Sequence, residues 1–184
     1  RNYVYVKKMM YEEPELWHRL MNTLVDQLAS YLILQIDSGV DAVQLFDTWV
    51  GNLSISDFRL YVLPHLERLL ARLKGKVPVI YFGTGNGHLL PDVAPLGFDV
   101  VALDWRTPLA QTWSSLQLNA VQGNLDPIVL CADQATIARQ SAELLDSVAG
   151  RSGHIFNLGH GIIPETPVDN VKFLVDFVHE HSAR

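Results

Sequence analysis

The sequence has little cysteine, little charge and no long apolar run. A single cysteine, Cys131, excludes a disulfide framework and a metal site built from several thiolates. Charged residues make up 18% of the chain and the formal net charge is −6, which argues against a general binder of nucleic acids or acidic membranes. No apolar run approaches the roughly 20 residues of a membrane-spanning helix, and Arg1 is followed by polar and aromatic residues rather than by the apolar core of a signal peptide. A soluble, cytoplasmic protein is therefore predicted.

Apolar residues, 48% of the 184, are arranged as helices that alternate with short buried strands. The first helix is predicted over 14–38, because its leucines recur every three or four positions between Pro14 and Gly39. Further helices are predicted over 54–74, 87–96, from 108 onward, 133–149 and 166–181. Strands are predicted over 41–46, 77–82, 99–104, 119–122 and 154–158. This alternation favours a parallel sheet with right-handed crossovers, either doubly wound or a (β/α) barrel.

A polar or glycine-rich segment directly follows each predicted strand. These segments are Thr48, 83–87, 104–106, 123–127 and 159–161. Because parallel strands all end at the same edge of a sheet, the segments are expected to meet there. In both α/β architectures this carboxyl edge carries the site, since helix N-termini also point their N–H groups toward it.

The glycine-rich turn from Gly83 to Gly87 has a pattern that is also found in nucleotide-binding loops. Glycines permit close backbone approach to a ligand, and Asp104 at the end of the next strand could hold a ribose, as in an S-adenosylmethionine site. Such a turn is weak by itself, because any tight turn between a strand and a helix favours glycine. The alternative is that these glycines let the loop pass close to a neighbouring loop.

Four motifs carry a resemblance to a known family. They are VQLFDTWVG at 43–51, VVALDW at 100–105, QGNLDP at 122–127 and NLGHGI at 157–162. In this order they resemble uroporphyrinogen decarboxylase over nearly the whole chain, and the last two are the most specific. The run 1–11 is also similar to an internal segment of that family.

The resemblance implies a cytoplasmic, homodimeric carboxy-lyase with the fold of a (β/α)8 barrel. Such an enzyme converts uroporphyrinogen III to coproporphyrinogen III in heme and chlorophyll biosynthesis, by removing carbon dioxide from the four acetate side chains of this tetrapyrrole. It uses no metal and no organic cofactor, because protonation of a pyrrole carbon makes the substrate its own electron sink.

The resemblance also implies that this chain supplies only part of the barrel. A complete barrel takes typically about 250 residues, and too few strands are predicted here to close one. Residues 1–184 are therefore expected to be the carboxyl-terminal part of a single barrel domain, with about its last five β/α units and without the amino-terminal part. The family's arginine-rich loop, pyrrole-binding aspartate and active-site tyrosine would precede Arg1. The chain alone is expected to be inactive and to expose sheet edges.

Two residues of the family's substrate site match positions in this chain. His160 matches the histidine near the substrate carboxylates and is the predicted catalytic and substrate-binding residue, while Thr48 matches a serine or threonine that binds a side-chain carboxylate. Arg106 departs from the threonine common in the family and is interpreted as a solvated loop arginine. Asp104 and Asp126 are interpreted as structural supports of the loops.

Two other classes of function stay open at this point. A related branch of the same fold contains zinc-dependent methyltransferases that act on cobalamin or thiol substrates, but they need soft ligands and Cys131 stands alone. A half-barrel could also act as an assembly module without activity, although it would then have no reason to keep both Thr48 and His160 in loops that face a ligand.

Overall fold

Five parallel strands form one open sheet in the computed structural model, which describes residues 3–182. The strands are β1 Val43–Asp47, β2 Val79–Gly83, β3 Val100–Ala102, β4 Val121–Leu125 and β5 His154–Leu158. Each strand pairs with the next one along the chain, so the spatial order is β1-β2-β3-β4-β5. A doubly wound sheet reverses its order at a switch point, and the described sheet does not. The predicted parallel α/β architecture is confirmed, the sequential strand order of the described sheet favours the barrel over the doubly wound alternative, and β1 and β5 are the free edges of this sheet.

The helices lie between and beyond the strands. Within residues 3–182 they are α1 Val4–Glu12, α2 Pro14–Asp37, α3 Ile55–Tyr61, α4 Leu63–Leu73, α5 Leu90–Val93, α6 Leu109–Ser115, α7 Gln134–Ser147 and α8 Val168–Ser182. No helix of this range is long and apolar enough to cross a lipid bilayer. Arg1 and Asn2, at the start of the family-like run 1–11, lie outside the described residues.

The helix predicted over 54–74 is two helices in the structure. Ser54 caps the first one as expected, because its hydroxyl accepts a hydrogen bond from the Asp57 N–H at 3.1 Å. The break falls at Val62, whose backbone is not helical. Pro64 is the physical reason, since its ring would clash with the carbonyl four residues earlier and so fits only the first turn of a new helix.

The strand predicted over 119–122 lies further along the chain than expected. In the structure β4 pairs with β5 from Val121 to Leu125, so Gly123 and Asn124 belong to the strand rather than to the loop after it. The prediction ended the strand at Gln122, because the polar and glycine-rich segment 123–127 was interpreted as the loop that follows it. Asn124 is buried, but its side-chain amide donates to the carbonyls of Asp104 and Thr107 at 2.8 and 2.6 Å, which satisfies it inside the fold.

The two faces of the sheet differ in what covers them. Alternate apolar side chains, such as Val43, Tyr81 and Val121, pack with the helices in the main core. The opposite face is open, and there Phe46 of β1 is 71% exposed and Ile155 of β5 is 43% exposed. The helix-covered face therefore supplies stability, and the open face is available for a ligand or for the rest of a larger domain.

A pair of histidines joins α2 to α4 on the helical side. His18 Nδ1 and His65 Nε2 are 2.8 Å apart and share a hydrogen bond. His65 is only 5% exposed, and its burial, followed by repulsion from His18 and Arg68, lowers its pKa below the ordinary value for histidine. The fold therefore holds His65 in its neutral form.

This pair predicts a loss of stability in mild acid. Because the folded pKa of His65 is lowered, its contribution is complete above the unfolded value of about 6.5 and is lost as the pH falls below that value. Urea unfolding at pH 7.5 and 5.5 should give a smaller drop in the free energy of unfolding for His65→Gln than for the wild type. His88→Gln, which removes an exposed histidine, should keep the wild-type drop. An equal drop in all three proteins would contradict the assignment.

Candidate functional site

A pocket of about 230 Å³ lies on the open face of the sheet, at its carboxyl edge. Its walls combine aromatic, amide and imidazole groups from four of the strands and from the loop after β5. The lining residues are Gln44, Phe46, Phe82, Ala102, Gln122, Asn157, Leu158, His160 and Gly161. The structure therefore brings the predicted residue His160 to a pocket at the expected edge of the sheet.

Thr48, the second predicted site residue, lies beside this pocket rather than in its wall. It directly follows β1 and is half-buried, and it is not among the lining residues. Phe46, two positions earlier, projects into the pocket instead. Sequence reasoning missed Phe46, although period-two alternation from Gln44 would have placed both side chains on one face.

The imidazole of His160 lies in a corner formed by two aromatic rings. Its centroid is 6.2 Å from that of Trp105, with the two planes at 88°, and 6.3 Å from that of Phe82. Phe82 in turn contacts Phe46 edge-on at 6.1 Å. His160 is thus exposed at one end of an aromatic wall that could lie against a flat, apolar part of a ligand.

The glycine before His160 is required by the approach of two loops. The Gly159 N–H donates to the carbonyl of Leu125 at 2.7 Å, which ties the loop after β5 to the end of β4. A Cβ atom on Gly159 would collide with the backbone nitrogen of Trp105, whereas a Cβ on Gly161 would meet open space. Only the first of the two glycines therefore sets the distance between His160 and Trp105.

Asp104 is the buried anchor of the loops at this edge. Its side chain is fully buried, and each carboxylate oxygen accepts two hydrogen bonds. One oxygen accepts from the Gly85 N–H at 2.6 Å and from the Arg106 guanidinium at 2.8 Å. The other accepts from the Arg106 N–H at 3.2 Å and from the Thr107 hydroxyl at 3.1 Å. Asp104 is a structural support, as its sequence position indicates.

Arg106 is not the solvated loop arginine that the sequence analysis expected. Its guanidinium pairs with the buried carboxylate of Asp104 and lies 3.8 Å from the ring centroid of Trp105. A buried carboxylate needs a cation or several donors, and the indole ring offers the guanidinium a second attractive face. Arg106 is therefore part of the loop structure, with about half of its side chain still exposed.

The glycine-rich turn serves the packing of two loops. A Cβ on Gly51, in the loop after β1, would collide with the carbonyl oxygens of Thr84 and Gly85. The carboxylate of Asp104, which would hold the ribose of a nucleotide or S-adenosylmethionine, already has both oxygens engaged within the protein. Both observations favour the interpretation that the turn passes close to a neighbouring loop.

Asp47 and Tyr81 form a buried polar pair beneath the site, which sequence reasoning also missed. The Tyr81 hydroxyl donates to the Asp47 carboxylate at 3.1 Å. Burial raises the pKa of Asp47, partly offset by this bond, and burial together with Asp47 raises the pKa of Tyr81 well above its ordinary value. The pair links Asp47, the last residue of β1, to Tyr81, the middle residue of β2.

The remaining sequence candidates have structural roles or lie apart from the pocket. Asp126 accepts a hydrogen bond from the Ile128 N–H at 2.9 Å and so fixes the turn after β4. His88 is exposed and hydrogen-bonds the carbonyl of Leu53. Cys131 is exposed at the end of the short helix that follows this turn. Within residues 3–182, no three histidine, cysteine, aspartate or glutamate side chains converge as ligands for a metal.

Comparison with known proteins identifies relatives over the full length of the chain. A family model described as "Uroporphyrinogen decarboxylase (URO-D)" matches residues 1–181. The chain is 49% identical over 187 residues to a uroporphyrinogen decarboxylase of Koribacter versatilis, with 100% of this chain and 53% of that protein covered. It is 49% identical over 184 residues to a uroporphyrinogen decarboxylase of Thermus thermophilus, with 100% of this chain and 54% of that protein covered. The chain thus spans about half the length of the curated relatives it matches.

A solved structure has the same fold despite a low sequence identity. It is a methyltransferase from Methanosarcina mazei, with a TM-score of 0.83 and 20% identity, and the match covers 95% of this chain and 52% of that one. At this identity the likeness shows the fold alone.

The contact between Gly159 and Trp105 predicts different effects for the two glycines that flank His160. Gly159→Ala should lower the free energy of unfolding by roughly 1–3 kcal/mol, because backbone must move to admit the methyl group. Gly161→Ala, the matched control, should change it by less than about 0.5 kcal/mol. Urea unfolding of both variants measures the difference, and equal effects would show that the two loops do not approach as described.

Proposed function

We propose that this chain, which belongs to the uroporphyrinogen decarboxylase family, forms part of the active site of an enzyme that converts uroporphyrinogen III to coproporphyrinogen III. The observation that carries the proposal is the pocket at the carboxyl edge of the sheet. There His160, two phenylalanines and three side-chain amides share one surface. An aromatic wall suits the flat macrocycle, and the imidazole and amides suit its carboxylates.

The chemistry of this reaction makes modest demands on the protein. Protonation of a pyrrole carbon creates an electron sink, the bond to the carboxylate then breaks to release carbon dioxide, and the electron-rich carbon left behind takes up a proton to become a methyl group. The substrate supplies the function of a cofactor, so we propose that none is used. What remains for the protein is to bind the macrocycle, orient one acetate and manage two protons.

In this proposal His160 and Thr48 contact substrate carboxylates. His160 lines the pocket and its side chain is exposed, so a ligand can reach it. Thr48 directly follows β1, the strand that carries Phe46. The substrate carries eight carboxylates, whereas the described carboxyl edge offers Arg106, which is already paired with Asp104. Most of the positive charge that binds the substrate is therefore supplied from outside this chain.

We further propose that the five strands are part of a (β/α)8 barrel, completed by the region of its relatives that this chain does not cover. An exposed apolar stripe on α2, the helix that precedes β1, supports this proposal. Its side chains are between 40% and 63% exposed, although α2 buries its other face against the core. The stripe consists of Leu16, Leu20, Leu24, Leu28, Tyr31 and Leu34.

A groove with both apolar and polar lining residues lies at the other free edge of the sheet. It has a volume of about 800 Å³ and lies between β5 and α8, where Phe156, Leu174 and Val178 contribute to its lining. A further set of β/α units that pairs with β1, covers the stripe and reaches the groove beside β5 would close the barrel and bury both surfaces.

The complete protein is proposed to be a cytoplasmic homodimer.

The proposed activity is tested by supplying the part of the Koribacter versatilis relative that the chain does not cover. The chain alone should not turn over uroporphyrinogen, and the two parts together should yield coproporphyrinogen, measured by chromatography after oxidation to the porphyrins. His160→Asn should lower the rate on the order of a hundredfold. The matched control His88→Asn, at the same edge of the sheet, should keep the rate. An active assembly that His160→Asn does not impair would overturn the role of His160, and turnover by the chain alone would overturn the need for a second part.

The apolar stripe predicts where that second part binds. Leu24→Glu together with Leu28→Glu should weaken its co-purification on the order of a hundredfold or more, since two carboxylates would be buried without partners. The control pair is Leu60→Glu with Val168→Glu, which changes two exposed apolar side chains outside the stripe and the groove. Equal co-purification of both variants would show that α2 is not the contact surface.

A further inference from the structure

The orientation of His160 depends on rings rather than on hydrogen bonds. Within residues 3–182 its imidazole contacts Trp105 and Phe82, and no hydrogen bond to another side chain or to the backbone holds it. An exposed imidazole held by a single ring would rotate about its side-chain bonds. The indole of Trp105, at 88° to the imidazole plane, therefore restricts which way His160 points.

Trp105 in turn is fixed by its neighbours on two sides. The Arg106 guanidinium lies 3.8 Å from its ring centroid, and this cation is held at 2.8 Å by the fully buried carboxylate of Asp104. The backbone of Gly159 packs directly against the backbone of Trp105. Asp104 also binds the Gly85 N–H, so the loop that carries Trp105 and Arg106 is tied to the turn after β2.

We propose that Trp105 is a positioning residue for His160, and that Arg106 acts through Trp105 by holding its guanidinium against the indole ring. This inference rests on the proposed function only for its effect on catalysis, because the geometry concerns the chain by itself. Arg106 then has a defined role without contacting the substrate.

The geometry is tested by NMR on the chain itself, labelled with ¹³C at histidine Cε1. The His160 signal, assigned by its loss in His160→Gln, should be displaced from the free-histidine position by the ring currents of Trp105 and Phe82. In Trp105→Leu and in Arg106→Gln it should move toward that position, while Arg106→Lys, which keeps a cation for both contacts, should stay nearer the wild type. The charge-matched control Arg139→Gln removes an exposed arginine of α7 that pairs with Glu143, and it should leave the signal in place.

Two outcomes decide the proposal. If the His160 signal is unchanged in both Trp105→Leu and Arg106→Gln, Trp105 does not position His160. If Trp105→Leu does not fold, as judged by circular dichroism, the half-exposed position 106 decides alone, and an unchanged signal in Arg106→Gln overturns the proposal.

Activity of the two-part assembly gives an independent readout. Arg106→Gln should lower kcat on the order of tenfold to a hundredfold with little change in KM, and Arg106→Lys should restore most of the loss. Wild-type kcat in Arg106→Gln would contradict a positioning role in catalysis. An assembly that is inactive even as the wild type would count against the proposed function, while the NMR result would still decide whether Trp105 positions His160.

Discussion

The buried carboxylate of Asp104 is the interaction on which the carboxyl edge of the sheet depends. It lies two residues after β3 and accepts four hydrogen bonds, from the turn after β2, from Arg106 and from Thr107. An ionised group with no exposure is tolerated only when it is paired and fully hydrogen-bonded, so each of these donors is constrained in turn. Through Arg106 and Trp105 the constraint reaches His160, which is itself exposed. In this way the buried carboxylate of Asp104 restricts the orientation of the exposed His160.

The two faces of the sheet have different roles. The face that packs with the helices is closed by an apolar core, and it keeps β1 to β5 parallel and in register. The other face carries the pocket and is left open, together with both sheet edges, the stripe on α2 and the groove beside β5. Open surface of this extent is costly for an isolated domain, and the closure by further β/α units that we propose would cover all of these surfaces at once.

Local patterns in the sequence were sufficient for much of the fold and for the place of the site. The strand predicted over 154–158 matches β5, and the edge where polar segments follow the strands is where the pocket lies. Predictions failed where a residue's role depends on distant partners. Asn124 lies inside a strand because loop carbonyls accept its hydrogen bonds, and Arg106 is bound because Asp104 is buried. The pairing of Asp47 with Tyr81 depends on the alignment of two strands, which alternation within one strand does not reveal.

The most direct test of a tetrapyrrole site at this edge is a titration of the two-part assembly with coproporphyrin, followed by amide NMR of the labelled chain. Saturable shifts are expected around Phe46, Thr48, Phe82 and His160, with little change along the helices. Binding whose shifts are confined to the groove between β5 and α8, or no binding at all, would contradict the proposed site.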